Sequence, residues 1–219
     1  MMLELYGHPF SSYTWKVLIA LYANGTHFTF HSLDGENPDQ ATAYARVQQV
    51  SPMGKFPLLV DGSREVFETS PIIEHLALHH PGAAPLIPAD PDAAIRTRMI
   101  DRVFDNYVMN AMQECVDEAI STGSVSPETQ ARVDERVTRA YRWIEGWLAT
   151  YAMPDSVSLI ECAAAPALFY ADWVTPIPED CPRLRGWRAQ LLAMPPVARC
   201  VEDARRFRHY FPLGAPDRD

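Results

Sequence analysis

Four prolines, Pro81, Pro85, Pro88 and Pro91, fall within eleven residues and split the chain into two stretches whose apolar residues repeat differently. Proline lacks the amide donor and crowds the preceding turn, so no single helix or strand crosses this segment. It reads as a semi-rigid linker over residues 81–92, joining a first unit, 1–80, to a second, 93–219. A chain of 219 residues is long enough for two small units sharing an interface.

The first stretch alternates strand and helix signals. Met2 to Tyr6 reads as a short strand ended by Gly7-His8-Pro9, and Val17, Leu18, Leu21 and Tyr22 then recur at helical spacing. Ser11 or Ser12 can cap that helix, and Asn24-Gly25 stops it. Phe28 to Phe30 is a second strand, Gln40 to Gln49 a second helix, and Phe56 to Val60 a third strand. Asp61-Gly62 turns the chain into a fourth strand, Glu65 to Phe67, and a helix from Ser70 to His79 follows. The order β-α-β-α-β-β-α implies a mixed sheet with helices on its faces.

After the linker the pattern is helical throughout. Ile95, Met99, Val103, Tyr107 and Ala111 define one predicted buried face, and Val133, Val137, Tyr141, Ile144 and Leu148 another. Ser158 and Glu161 form a capping box, with Val157 and Cys162 placed as a hydrophobic staple, and Pro166 is expected to kink the helix they open. Two further helices are expected over Leu184 to Ala193 and Val197 to Tyr210.

Charge and cysteine usage narrow the function classes. A formal net charge of −9 repels polyanions, which argues against nucleic acid and anionic membranes as partners. Cys115, Cys162, Cys181 and Cys200 lie far apart without C-x-x-C or metal-ligand spacing, so neither a zinc site nor a dithiol redox centre is expected. No apolar run approaches about 18 residues and the N-terminus lacks a signal-like pattern, which leads to an expected cytoplasmic location.

The opening Tyr6-Gly7-His8-Pro9-Phe10-Ser11-Ser12-Tyr13-Thr14-Trp15-Lys16-Val17, the run Ser51-Pro52-Met53-Gly54-Lys55-Phe56-Pro57 and the segment Phe67-Glu68-Thr69-Ser70-Pro71 together resemble the cytosolic glutathione S-transferase family. The first is similar to its serine-type classes, in which a catalytic serine stands five residues before a basic residue and Val. The second resembles the loop leading to a cis-proline, and the third the Glu-Ser segment. Ser51, Thr69 and Glu161 stand where Asn, Ser and Asp are commoner, and each keeps the hydrogen-bonding function. Phe56 stands where Val is commoner. The resemblance implies a thioredoxin-like first domain, an all-helical second domain, glutathione as co-substrate with no permanent cofactor, and a homodimer.

It also implies roles for particular residues. Glutathione must react as a thiolate, because a thiol with pKa near ~8.5 is mostly protonated at neutral pH. Lowering that pKa by about two units requires roughly 2.7 kcal/mol of preference for the anion. Ser11, at the entrance to the first helix, is the expected catalytic donor, since a charge-assisted hydrogen bond supplies about 1.5–3 kcal/mol and a helix N-terminus about 0.3–1 kcal/mol. Taken alone Ser11 would simply cap its helix; Ser12 and then Tyr6 are the substitutes. Lys55 is placed for the glycyl carboxylate, Phe56 before a cis Pro57 for main-chain pairing with the cysteinyl residue, Thr69 for the γ-glutamyl carboxylate and Glu68 for its ammonium.

A small apolar electrophile is expected to meet Phe10, Ser12, Tyr13, Tyr107 and Met112, with Met109 a further candidate. A glutathione-dependent isomerase, lyase or peroxidase would use the same thiolate. A non-catalytic interaction protein on this fold is the other alternative.

Overall fold

The computed structural model describes residues 3–51 and 53–219. Met2 of the first expected strand and Pro52 of the Ser51–Pro57 loop lie outside them. Strand β1 (Leu3–Gly7) is followed by α1 (Ser12–Ala23), β2 (Phe28–Ser32), α2 (Gln40–Val50), β3 (Leu58–Asp61), β4 (Arg64–Phe67) and α3 (Thr69–His79). The strands form one mixed sheet in the order β2-β1-β3-β4, with β1 parallel to β2 and antiparallel to β3. β3 and β4 form a hairpin in which Asp61 pairs with Arg64.

Side chains of successive strand residues face opposite sides, and the two sides bury different partners. Leu3, Leu5 and Leu59 join the large core that contains α1 and α3. Tyr6, Leu58 and Val60 pack with Ala43 and Val47 of α2 on the other face. Gly7 ends β1 where a Cβ would lie 2.7 Å from the Thr14 side chain, so only glycine lets the strand approach α1 this closely.

Beyond the prolines, α4 (Pro91–Val103) runs through a π-helical segment, Phe104–Met109, into α5 (Asn110–Thr122). Next come α6 (Pro127–Trp147), α7 (Leu159–Val174), α8 (Pro182–Ala193), α9 (Pro195–Ala204) and a 3₁₀ segment, Arg205–Tyr210. The helix α7 opens on the expected capping box: Glu161 accepts from the Ser158 amide at 2.8 Å, and Ser158 Oγ accepts from the Ile160 amide at 3.1 Å. It continues through Pro166 to Val174.

Two helices are enclosed on all sides. Thr14 to Leu21 of α1 and Leu159 to Asp172 of α7 are buried without interruption, and the Trp15 ring packs at a tilt against Phe169 and Tyr170, with centroids 4.9 and 5.4 Å away. A single apolar cluster therefore runs from the sheet to the last helices.

The face expected for α4 and its continuation is corrected in part. Val103 packs against the core and Ala111 is buried, but Ile95, Met99 and Tyr107 are 62, 52 and 61% exposed, whereas Thr97, Ile100, Asp101, Phe104, Asp105 and Val108 point inward. Asp101 and Asp105 are buried because Lys16, itself 1% exposed, comes to meet them. Its ammonium pairs with Asp101, lies 2.8 Å from Asp105 Oδ2 and donates to Ser70 Oγ at 3.1 Å. Ser70 donates to Asp101 at 2.7 Å, and Arg102 reaches Asp101 and Asp105 from the solvent side, at 2.6 Å in each case. Burial pushes the Asp105 carboxyl up from its ordinary range, with Lys16 opposing and the Asp101 charge adding to the shift. The π-helical segment that starts just past Val103 shifts the register further, so a strict 3.6-residue count from Ile95 fails at Tyr107.

Removing one member of a buried ion pair strands the other charge, so Lys16→Met should cost about 3–5 kcal/mol. Urea unfolding should show a fall in midpoint at unchanged slope. Ser158→Ala, which deletes one helix cap, should cost only about 1 kcal/mol.

Candidate active site

Where the loop after β1 meets α1, His8 and Ser11 set the backbone. His8 Nδ1 accepts from the Phe10 amide at 3.0 Å, and the Ser11 amide donates to the His8 carbonyl at 3.0 Å. Ser11 takes the extended conformation of an N-cap, and its Oγ accepts from the Thr14 amide at 3.3 Å. A serine hydroxyl that accepts from a helix amide still has its own hydrogen to donate. The amides of Ser12 and Tyr13 precede the intrahelical ladder and leave positive potential at the same end. Burial holds the His8 imidazole below its usual pKa.

Two elements of the helical half brace this loop. Tyr170 of α7 donates from its hydroxyl to the Phe10 carbonyl at 2.8 Å, and the two rings meet edge-on at 5.3 Å. Tyr13 donates to Asn110 Oδ1 of α5, also at 2.8 Å. Burial, with the Asp105 charge adding to it, pushes the Tyr13 phenol well above its ordinary range, so it remains a neutral donor.

The Phe56–Pro57 peptide is cis, and Lys55 immediately before it is exposed with no carboxylate partner among the described residues. Glu68 has φ +68° and ψ 126°, a conformation that L residues avoid and that costs about 1–3 kcal/mol. This bend turns the chain sharply into α3, so Thr69 and the first amides of that helix sit beside the loop.

These pieces border one cavity of about 760 Å³. Of the residues singled out in the sequence, Phe10, Ser11, Ser12, Tyr13, Lys55, Phe56, Pro57, Glu68, Thr69 and Met112 line it, as does Met109. Tyr107 does not: it is exposed on the far side of the π-helical segment, which corrects its expected place in the pocket. Tyr6 is also absent from the lining; its hydroxyl donates to Glu4 at 2.9 Å, and its ring stacks on His31.

Sequence reasoning missed a polar wall. Asn106, Asn110, Gln113 and Asp117 face the cavity from the π-helical segment and α5, spaced four, three and four residues apart. That spacing is a helical stripe and was visible in the sequence, but a search for an apolar pocket passes over it. Phe211 and Pro212, behind the last 3₁₀ segment, close another side and carry no sequence signal of their own.

Comparison with known proteins bears on the fold that carries this site. Residues 5–84 match the family model described as the N-terminal domain of glutathione S-transferase. The chain is 28% identical over 181 residues to the uncharacterized GST-like protein YibF of Escherichia coli K12, covering 82% of this chain and 87% of that protein. It is 29% identical over 162 residues to a glutathione S-transferase of Pseudomonas putida, covering 73 and 70% of the two chains. Among solved structures, a glutathione S-transferase of Methylobacillus flagellatus with glutathione bound superposes with a TM-score of 0.75 at 22% identity, over 90% of this chain and 98% of that one. Residues 5–84 therefore match the N-terminal domain of glutathione S-transferases, and the chain as a whole has a thioredoxin-like-plus-helical fold.

Proposed function

We propose that the protein is a glutathione transferase of the serine type, in which Ser11 stabilises the glutathione thiolate for attack on a small electrophile. The observation that carries this reading is the convergence of Ser11, Lys55 to Pro57 and Glu68-Thr69 on a single cavity, although more than fifty residues separate the first from the last. Ser11 accepts from Thr14 and so keeps its hydroxyl hydrogen for the sulfur. It acts as cap and as donor at once, without ever losing its proton.

The peptide is held at its ends and middle. Lys55 meets the glycyl carboxylate, the Phe56 main chain pairs with the cysteinyl residue, and Thr69 with the α3 amides receives the γ-glutamyl carboxylate. Glu68 orients the ammonium. The electrophile lies against Phe10, Tyr13 and Met112, with the polar side chains of Asn106, Asn110 and Gln113 lining the same cavity. This mixed lining favours an apolar body that carries a hydrogen-bonding group, and it suits addition to an activated double bond as well as displacement. A glutathione-dependent isomerase is thus the second reading.

The same reading gives a cytosolic homodimer, supplied by the glutathione pool of that compartment. Exposed apolar side chains on both halves support the pairing: Leu78 on α3, and Ile95, Met99 and Tyr107 along α4 and its continuation. The first domain of one subunit would face the helical domain of the other.

Ser11→Ala should leave glutathione affinity within a few-fold and lower turnover about 10- to 100-fold, the equivalent of one charge-assisted hydrogen bond. The ultraviolet absorbance of the bound thiolate should titrate at higher pH in the variant, and an unchanged rate rejects Ser11 as the donor. Glu68→Ala and Thr69→Ala should weaken binding before they slow the chemistry, as read by calorimetric titration of glutathione.

His8 adds a pH dependence. Its folded pKa is depressed, so the native state binds fewer protons than the unfolded state, and the stabilisation is full above the unfolded value of about 6.5. As pH falls from there through the folded pKa it is lost, because protonation puts a charge on a half-buried ring, and Nδ1 must also give up the Phe10 amide to take the proton. Relative to His8→Asn, the wild type should lose about 1 kcal/mol of stability on acidification through this window, measured by urea unfolding.

A further inference from the structure

At the end of α3 remote from Glu68, three side chains of metal-binding type converge. Asp61 ends β3, His75 lies midway along α3 and His80 is its C-cap. His75 Nε2 lies 3.0 Å from Asp61 Oδ2, and His80 Nε2 lies 2.9 Å from the same oxygen. One ligand atom from each residue is within 4.8 Å of the others. None of the three borders the active-site cavity.

The backbone explains the convergence. His75 and His79 are four residues apart and share a helix face, with ring centroids 4.5 Å apart. His80 leaves helical geometry, at φ −135° and ψ 53°, and this swings its ring toward Asp61 while His79 stays exposed. Asp61 and His75 are only 14 and 9% exposed, whereas His80 is 27% exposed and keeps the cluster open to water.

Two imidazole nitrogens and one carboxylate oxygen suit borderline divalent ions such as zinc, whereas calcium and magnesium favour oxygen ligands. Zinc bonds of about 2.0–2.1 Å set tetrahedral neighbours roughly 3.3 Å apart. The two Asp61–histidine separations, 3.0 and 2.9 Å, need to open by only a few tenths of an ångström, and the two imidazole nitrogens lie within 4.8 Å of each other. Each neutral imidazole frees its Nε2 lone pair by carrying its proton on Nδ1. The C-terminal end of α3 contributes negative potential, which favours a cation there.

We propose that Asp61, His75 and His80 form a zinc-type divalent cation site, with water as the fourth ligand, that clips the end of β3 to the end of α3. The site is independent of glutathione chemistry.

The test is titration of chelator-stripped full-length protein with zinc, in competition with a chromophoric chelator. The wild type should take up one equivalent per chain, and zinc should raise its thermal midpoint. His80→Gln and Asp61→Asn should each weaken binding at least about 10-fold and remove the thermal shift, whereas His79→Gln, and His27→Gln in the connection between α1 and β2 outside the cluster, should stay within about 3-fold. His80→Gln alters a partly exposed side chain and leaves Asp61 bonded to His75, and circular dichroism checks that its fold is kept. Absence of a stoichiometric site in the wild type, equal affinity in His80→Gln, or loss of binding in His79→Gln alone would each overturn the assignment.

Discussion

An ammonium group without access to water fixes how the two halves of this molecule meet. Lys16 projects from α1 into a pocket of Asp101, Asp105 and Ser70, supplied by α4, the π-helical segment and α3. Withdrawing such a charge from water costs several kcal/mol even after relaxation, so the pocket must be complete to be tolerated. Two carboxylates face Lys16 and Arg102, and the charges balance. A rotation of α1 against α4 would break several of these bonds together. Ser11 lies on the same helix less than two turns away, so its direction is fixed by the same contacts.

The cavity inherits that rigidity. Its walls come from both halves and are tied across the junction by neutral phenols, Tyr13 to Asn110 and Tyr170 to the Phe10 carbonyl. Burial pushes both phenols above their ordinary pKa, so these bonds persist across the neutral range. Tyr6 contrasts with them: its hydroxyl is committed to Glu4, and its ring belongs to the core on the α2 face. Of the three hydroxyls weighed from the sequence, Ser11 and Ser12 face the cavity and Tyr6 does not.

The element order was legible because strands and helices impose different apolar periods, and glycines, prolines and caps mark their ends. The capping box at Ser158 and Glu161 needed no tertiary information, since all its atoms lie within one turn. The interior face of α4 was not legible in this way. Hydrophobicity assigns Ile95 and Met99 to the core and Asp101 and Asp105 to solvent, and the reverse holds because a lysine 85 residues before Asp101 neutralises them. Tyr107 failed for the same reason, compounded by the π-helical segment. A third strand starting at Leu58 instead of Phe56 reflects the cis peptide before Pro57, a conformation that spacing alone does not specify. The Asp61, His75 and His80 cluster escaped a cysteine-centred search for metal ligands because its members meet only through the β3–α3 packing.

Helix α3 unites these observations through its polarity. Aligned peptide dipoles leave about half a positive charge at the N-terminus and half a negative charge at the C-terminus, each felt only within about a turn. The N-terminal end borders the cavity beside Thr69, where a carboxylate would be received. The C-terminal end gathers His75 and His80 around the Asp61 carboxylate, where a cation would be received. At about 1.5 Å per residue the two ends are some 15 Å apart, beyond the Debye length of about 8 Å at physiological salt. Charge gained at one end therefore perturbs the other chiefly through the rigidity of the helix, and Lys16 fastens that helix at Ser70, one residue past Thr69.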